Sequence, residues 1–474
     1  MPGAGKSSGI LSLLKKNFVY GVSSLLEKTA VFLLLPLYTN FLSPADYGIY
    51  SILFTFLTLV SFVSSLGIET GLSKYLIEYD KKAYLSTGFW GGFGLSAILT
   101  LLLFIFSKPV NYALFLTDEY EGIYSLSLLI ILFDSASRTF INLILAEQTS
   151  KRYFYLSFFR GSLNIGLNIY FLAFLNRGLA GVIEASAISS FLVAIYCSAL
   201  SARHINFIFD RNIFKKLIRF GFPLMLTSAF ITLLNFSDRF LIQYFHGAAE
   251  AGKYSAAYRI AMVMNTAVTA FSMGALPFIT AALKEKSGER AVFGKILLLM
   301  SAVMAAVFLA VEYFLDPFIK IEILGRHIIN PAYYDALDII PLILLSYIFY
   351  GFSQNFNLNI YHKEKTKIIL WITCISFFIN LILNAALIPN YGSMGAAYSN
   401  LISFAAMAVM TYYYAAKVFP VKNDWTGAAI IMGTGGLFYF IFAVILKDFI
   451  LVKAFAFVFY MAVMAVYLRK KEVI

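Results

Sequence analysis

Residues 84–106 read YLSTGFWGGFGLSAILTLLLFIF, a run without a charged side chain, bracketed by Lys81 and Lys82 before it and Lys108 after it. A helix of that length rises about 34 Å at about 1.5 Å per residue, enough to cross about 30 Å of hydrocarbon. Runs of this kind recur, at about 18–42, 47–76, 84–106, 123–148, 154–176, 179–203, 217–245, 254–283, 293–315, 336–361, 367–388, 393–416, 427–446 and 450–468. Helices are the reading they permit, because a membrane barrel would show short alternating strands. The composition agrees. Charged residues make up 13% and hydrophobic ones 60%, with a mean hydropathy of +0.80, whereas a soluble domain carries about 25% charged residues. The fold class expected is an all-α polytopic membrane protein of about 14 transmembrane helices.

The net charge of +12 is no nucleic-acid footprint, since the basic residues sit in short clusters between apolar runs and form no face. Cys197 and Cys374 lie inside apolar runs and read as packing residues, not as a disulfide or zinc framework. The opening PGAGKSS imitates the end of a phosphate-binding loop but lacks the upstream glycine and strand that such a loop needs; it reads as a tail. Met1 to Lys16 is too polar and basic for a cleaved signal peptide. No cofactor is called for.

Charge also orients the chain. In alternate connections, 25 Lys and Arg fall on the side holding Lys15, Lys82, Arg152, Lys216, Lys286, Lys365 and Lys470, and 7 on the side holding Lys108, Arg177, Lys253, Lys320, Arg326, Lys447 and Lys453. The positive-inside rule then places both termini in the cytoplasm. An internal repeat is visible as well. Segment 41–51, FLSPADYGIYS, matches 245–255, FHGAAEAGKYS, at five of eleven positions. Segment 178–189, GLAGVIEASAIS, echoes 392–403, GSMGAAYSNLIS, and the pairs Asn164/Asn168 and Asn380/Asn384 stand at corresponding places. The chain therefore divides into six-helix lobes at 1–208 and 209–420, followed by two appended helices at 421–474. Halves with an even helix count share one topology, so their axis should run along the membrane normal.

LSPADYGIYS at 42–51, FGFPLMLTSAFITLLNFSDRFLIQYF at 220–245, AGKYSAAYRIA at 251–261 and INLILNAALIPNYGSMGAAYSNLIS at 379–403, in that order, resemble the polysaccharide flippases (O-antigen or Wzx-type transporters) of the multidrug/oligosaccharidyl-lipid/polysaccharide (MOP) exporter superfamily. The resemblance implies two lobes around a V-shaped central cavity and alternating access. It also implies a polyprenyl-pyrophosphate-linked oligosaccharide as substrate, moved across a bacterial inner membrane for O-antigen, lipopolysaccharide or capsule synthesis.

Charges inside apolar segments are the candidate site residues, because each costs about 2.5–3.5 kcal/mol at mid-bilayer on insertion scales. Arg239, Arg259, Lys28, Arg160 and Arg138 are the candidate ligands of a pyrophosphate, whose oxygens suit the guanidinium fork. Asp134, Asp238, Glu69 and Glu27 are candidates for coupling to H+ or Na+, with Glu184 a further buried acid. The alternative is that these residues are structural ion-pair partners or snorkel to the interface. Asp134 and Arg138, spaced i, i+4, read as a self-neutralising pair, with Asn142 one turn further on. Helix ten carries only Ser353, Gln354 and Asn357 at the matching place. Two other functions stay open at this point: a multidrug or organic-cation antiporter of the same fold, whose site should be net acidic, and a membrane glycan polymerase or ligase. The latter needs a large extracytoplasmic loop, and the longest here, DPFIKIEILGRHIINPAYYD at 316–335, is short and without a catalytic cluster.

Overall fold

The computed structural model describes residues 32–76, 81–147, 149–285, 289–323, 325–363, 365–421, 423–446 and 449–471. The packing divides the chain into two compact units, Met1–Ser255 and Ala256–Ile474. This is a division by contact, and it falls later in the chain than the repeat boundary read from the sequence.

The first unit opens with α1 (Phe32–Phe41) and α2 (Pro44–Ser65). The turn between them is set by chemistry: Ser43 accepts from the Asp46 backbone while the Asp46 carboxylate accepts from Ser43, a capping box with Pro44 in the first turn. The run 47–76, expected as one helix, is broken. Leu66 (φ 45°) and Gly67 (φ 78°) are left-handed, and a short α3 (Ile68–Tyr75) restarts beyond them. Gly67 is required twice there. Its φ favours glycine, and a Cβ on it would strike the Gly221 carbonyl. Then follow α4 (Lys81–Ile105), a short α5 (Ser107–Phe115), α6 (Glu121–Ala146), α7 (Ser150–Ile169) ending in a π turn at Tyr170–Phe174, and α8 (Gly178–Ser201). The run 217–245 is also broken, at Ser237, into α9 (Arg211–Phe236) and α10 (Asp238–His246), before α11 (Ala248–Glu285). Ile68, Leu72, Leu85, Phe140, Val193 and Leu217 form a core that joins α3, α4, α6, α8 and α9.

The two copies of the sequence repeat meet each other inside this unit. A Cβ on Gly48 would collide with the Ala248 carbonyl oxygen, and one on Gly252 with that of Pro44. Gly48 corresponds to Gly252 and Pro44 to Ala248, so the contact is reciprocal, as in an isologous interface. Ser51 and Ser255, also counterparts, share a hydrogen bond of 2.7 Å.

The second unit contains the rest of α11, α12 (Glu289–Ile319), a hairpin of β1 (Glu322–Ile323) and β2 (Arg326–His327), and a 3-10 turn at Pro331–Ile339. After these come α13 (Ile340–His362), α14 (Thr366–Val418), α15 (Trp425–Tyr439) with a π turn at Phe440–Ile445, and α16 (Ile450–Lys470). Gly392 (φ 52°, ψ −131°) kinks α14 into two helices. Leu297, Leu309, Phe356, Ile431 and Tyr460 pack α12, α13, α15 and α16 together. At one end of the last two helices the Asp424 carboxylate caps α15 through the Gly427 N–H at 2.8 Å and accepts from Lys471 at 2.7 Å.

Among the described residues, ten helices are long and apolar enough to cross a membrane. That number is smaller than the fourteen expected. The first expected run lies partly outside the described residues, and the kinked α14 is one of the ten. The protein is a multi-pass helical membrane protein.

Candidate functional site

Of the candidate residues, Glu27 and Lys28 lie outside the described residues. The others in the first unit fall into two groups of different character.

The first group lies along α6. The intrahelical Asp134–Arg138 pair expected from their spacing does not form; each side chain turns to a neighbouring helix. Arg138 Nη1 meets Glu69 Oε1 at 3.0 Å, while Nη2 donates to Ser61 Oγ and Nη1 reaches the Ser61 carbonyl at 3.4 Å. Arg160 on α7 places Nη2 between both Asp134 carboxylate oxygens, at 3.0 and 3.1 Å. The helix break explains Glu69: restarting at Ile68 puts it in the first turn of α3, where the dipole favours a carboxylate, and turns it to α6. These four side chains are 17–41% exposed. Charges open to that degree belong against water in a cavity and not against hydrocarbon. Asn142, one turn beyond Arg138, accepts from Ser73 at 2.9 Å. A cavity of about 20 Å3 adjoins Glu69 and Arg138, lined also by Ser96, Ser135, Thr139 and Asn142.

The second group is sealed. Asp238 and Arg239 begin α10 and are 0% and 4% exposed in their side chains. Arg239 donates to Ser255 Oγ at 3.1 Å, to the Asn235 carbonyl at 3.0 Å and to Asp238 at 3.3 Å. Asp238 also accepts from the Tyr254 hydroxyl. Through Ser255 this network reaches Ser51 on α2, directly beneath the Gly48–Gly252 contact. Glu184 pairs with Arg177 at 3.0 Å.

Arg259 lies on α11 in the second unit, half-buried beside the fully buried Tyr258, whose hydroxyl accepts from Tyr347 at 3.1 Å. Each asparagine pair forms a buried ladder. In the first unit Asn168 accepts from Tyr38 at 3.0 Å and donates to the Asn164 carbonyl at 2.8 Å. In the second unit Asn384 donates to Asn380 at 2.9 Å and Asn380 to Asn400 at 3.1 Å. On α13, Ser353 meets Thr411 at 3.0 Å and Asn357 donates to Gln354 at 3.3 Å, a neutral counterpart to the charged face of α6.

The sequence reading missed two buried charge-bearing side chains. Lys453, assigned above to a connection, is in the first turn of α16 and 6% exposed. It acts electrostatically on Glu312 of α12, whose Oε1 is buried without a hydrogen-bond partner. A glutamate inside the apolar run 293–315 was the available signal. His327, in the hairpin, is held by the Lys320 carbonyl at 3.1 Å.

Helix breaks beside buried charges are how membrane carriers expose polar groups at depth. Solved membrane proteins share this fold. The lipid II flippase MurJ, in an inward closed conformation, superposes with a TM-score of 0.76 at 14% identity, covering 97% of this chain and 99% of that one. An inward-facing multidrug resistance MATE family transporter of the MOP superfamily gives 0.66 at 15%, covering 86% and 96%. The fold is thus that of the MOP-type membrane transporters. In sequence, the family described as polysaccharide biosynthesis protein matches residues 13–283, more than half the chain, and MatE matches 223–386. The Lsg locus putative protein 1 of Haemophilus influenzae is 23% identical over 366 residues, 72% of this chain and 85% of its own. The succinoglycan biosynthesis transport protein ExoT of Rhizobium meliloti is 26% identical over 260 residues, 53% of this chain and 51% of its own. The chain belongs to the polysaccharide biosynthesis protein family.

Proposed function

We propose that this protein is a flippase that carries a polyprenyl-pyrophosphate-linked oligosaccharide from the cytoplasmic to the periplasmic leaflet of the bacterial inner membrane, by alternating access and without chemistry of its own. Both termini are cytoplasmic in this reading. The observation that carries it is the pair of partly exposed guanidinium groups, Arg138 on α6 and Arg160 on α7, each held by an acid of a neighbouring helix within apolar membrane-spanning segments. A diphosphate leaving water needs such forks, because they match its oxygens two at a time. Lys28 and Arg259 are further candidate ligands, Glu69 and Asp134 are the acids proposed for coupling to H+ or Na+, and Arg239, with Asp238, serves as a fixed structural pair. A glycan polymerase or ligase fits less well, since the loop 316–335 carries no catalytic cluster among its described residues.

The test is translocation of a sugar-bearing lipid in cells lacking their own flippase. The wild-type chain should restore surface polysaccharide, and Arg138→Gln and Arg160→Gln should abolish it at normal membrane abundance. Restoration by both variants would sink the reading. Reporter fusions after Lys82 and Lys365 should read cytoplasmic, and after Asp118 and Arg326 periplasmic.

A further inference from the structure

We propose that Glu69 and Asp134 are resting occupants of the substrate site, standing in for the two phosphates and leaving when a diphosphate binds. This rests on the reading of Arg138 and Arg160 as headgroup ligands, and it gives the two acids a role distinct from ion coupling.

Four observations converge. The acids pair across helices with the two proposed ligands, at 3.0 Å each, and not with one another's neighbours along α6. Both pairs are open enough to be reached, with side chains 17–41% exposed, and both are anchored on α6, at Arg138 and Asp134. Arg138 is anchored independently of Glu69, through the Ser61 hydroxyl and carbonyl, so it stays aimed when the carboxylate departs. Glu69, finally, has somewhere to go. The adjoining cavity of about 20 Å3 is lined by Ser96 and Ser135, which are 1% and 6% exposed and whose hydroxyls have no hydrogen-bond partner. Buried hydroxyls left unpaired are costly; here they are two donors waiting for an acceptor at the edge of the Glu69 side chain. A rotation of Glu69 from Arg138 towards that cavity gives the carboxylate hydroxyl donors in place of the guanidinium it releases.

The consequence is opposite to that of a substrate ligand or a scaffold residue: neutralising either acid strengthens binding. The experiment measures binding of farnesyl pyrophosphate to the purified full-length protein, with inorganic pyrophosphate as competitor. Glu69→Gln and Asp134→Asn should each tighten binding by about fivefold or more, within the usual range of coupling between sites, while Arg138→Gln weakens it. Ser135→Ala keeps the ion pair and removes a receiving donor, so it should weaken binding with an unchanged melting temperature. If the wild type binds and Arg138→Gln does not, but both carboxamide variants bind no better than wild type, the acids are not occupants. If Ser135→Ala binds as the wild type does, the receiving cavity is wrong. If Arg138→Gln binds as well as the wild type, or the wild type binds nothing, the headgroup reading itself falls, and this inference with it.

Discussion

Asp238–Arg239 and Asp134–Arg160 are the same two residue types joined by the same charge, and both follow from helices that cross an apolar medium. They differ in surroundings. The first pair is closed off, with its bonds spent on Ser255, Asn235 and Tyr254. The second is bridged by a single guanidinium nitrogen and is 25–36% exposed. Burial separates the roles. A sealed pair ties three helices together and has no face left for a ligand, whereas an open pair can exchange its partner. Helix breaks lie behind both Glu69 and Asp238, at Gly67 and Ser237, so a break alone does not distinguish a working charge from a structural one.

The largest effect that tests this contrast is at Arg239. Arg239→Ala strands Asp238 in a closed site and should cost about 3–5 kcal/mol, read as a collapse of membrane abundance and melting temperature. Asp238→Ala/Arg239→Ala removes both charges and should recover most of it. Normal abundance with lost translocation in the single variant would make Arg239 a ligand and erase the distinction.

A smaller effect on stability is expected on α6. Arg160→Gln should shift the melting temperature little, because an open ion pair contributes about 0–1 kcal/mol, yet it should abolish translocation. Arg160→Lys keeps the charge without the fork and should restore only part. A large loss of stability in Arg160→Gln would place this pair with the sealed one.

The smallest effect is outside the membrane, at Asp424. Its bonds to Lys471 and the Gly427 N–H hold its carboxyl below the ordinary carboxylate range. The stabilisation is therefore present above the ordinary carboxylate range and is lost as the pH falls through the lowered folded value. The Asp424→Asn protein should melt slightly lower at neutral pH and lose the acid limb of that dependence, measured as melting temperature against pH.

Much of this architecture was legible beforehand. The apolar run 84–106 is observed as α4, Lys81–Ile105, and the expected runs 179–203 and 450–468 are matched closely by α8 and α16, because length and uncharged composition leave a helix no alternative in lipid. The breaks were not legible. Gly67 and Ser237 interrupt runs long enough for one helix each, and at Gly67 the break accompanies the approach of the Gly221 backbone, which no local pattern reports. Spacing also misled at Asp134 and Arg138, where i, i+4 geometry suggested a pair that two other helices dissolve. Lys453 was misplaced because a lysine one turn inside a helix looks like a loop lysine until its partner Glu312 is seen.

The contact between Gly48 and Gly252 closes two positions to evolutionary drift. What each glycine excludes is a carbonyl oxygen of the other copy's main chain, and every residue type has the same main chain. A side chain gained at either position therefore has no suppressor: no second substitution at Pro44 or Ala248 can make room, as a smaller neighbour would in an ordinary core. At this point of the fold both matching segments are held to glycine.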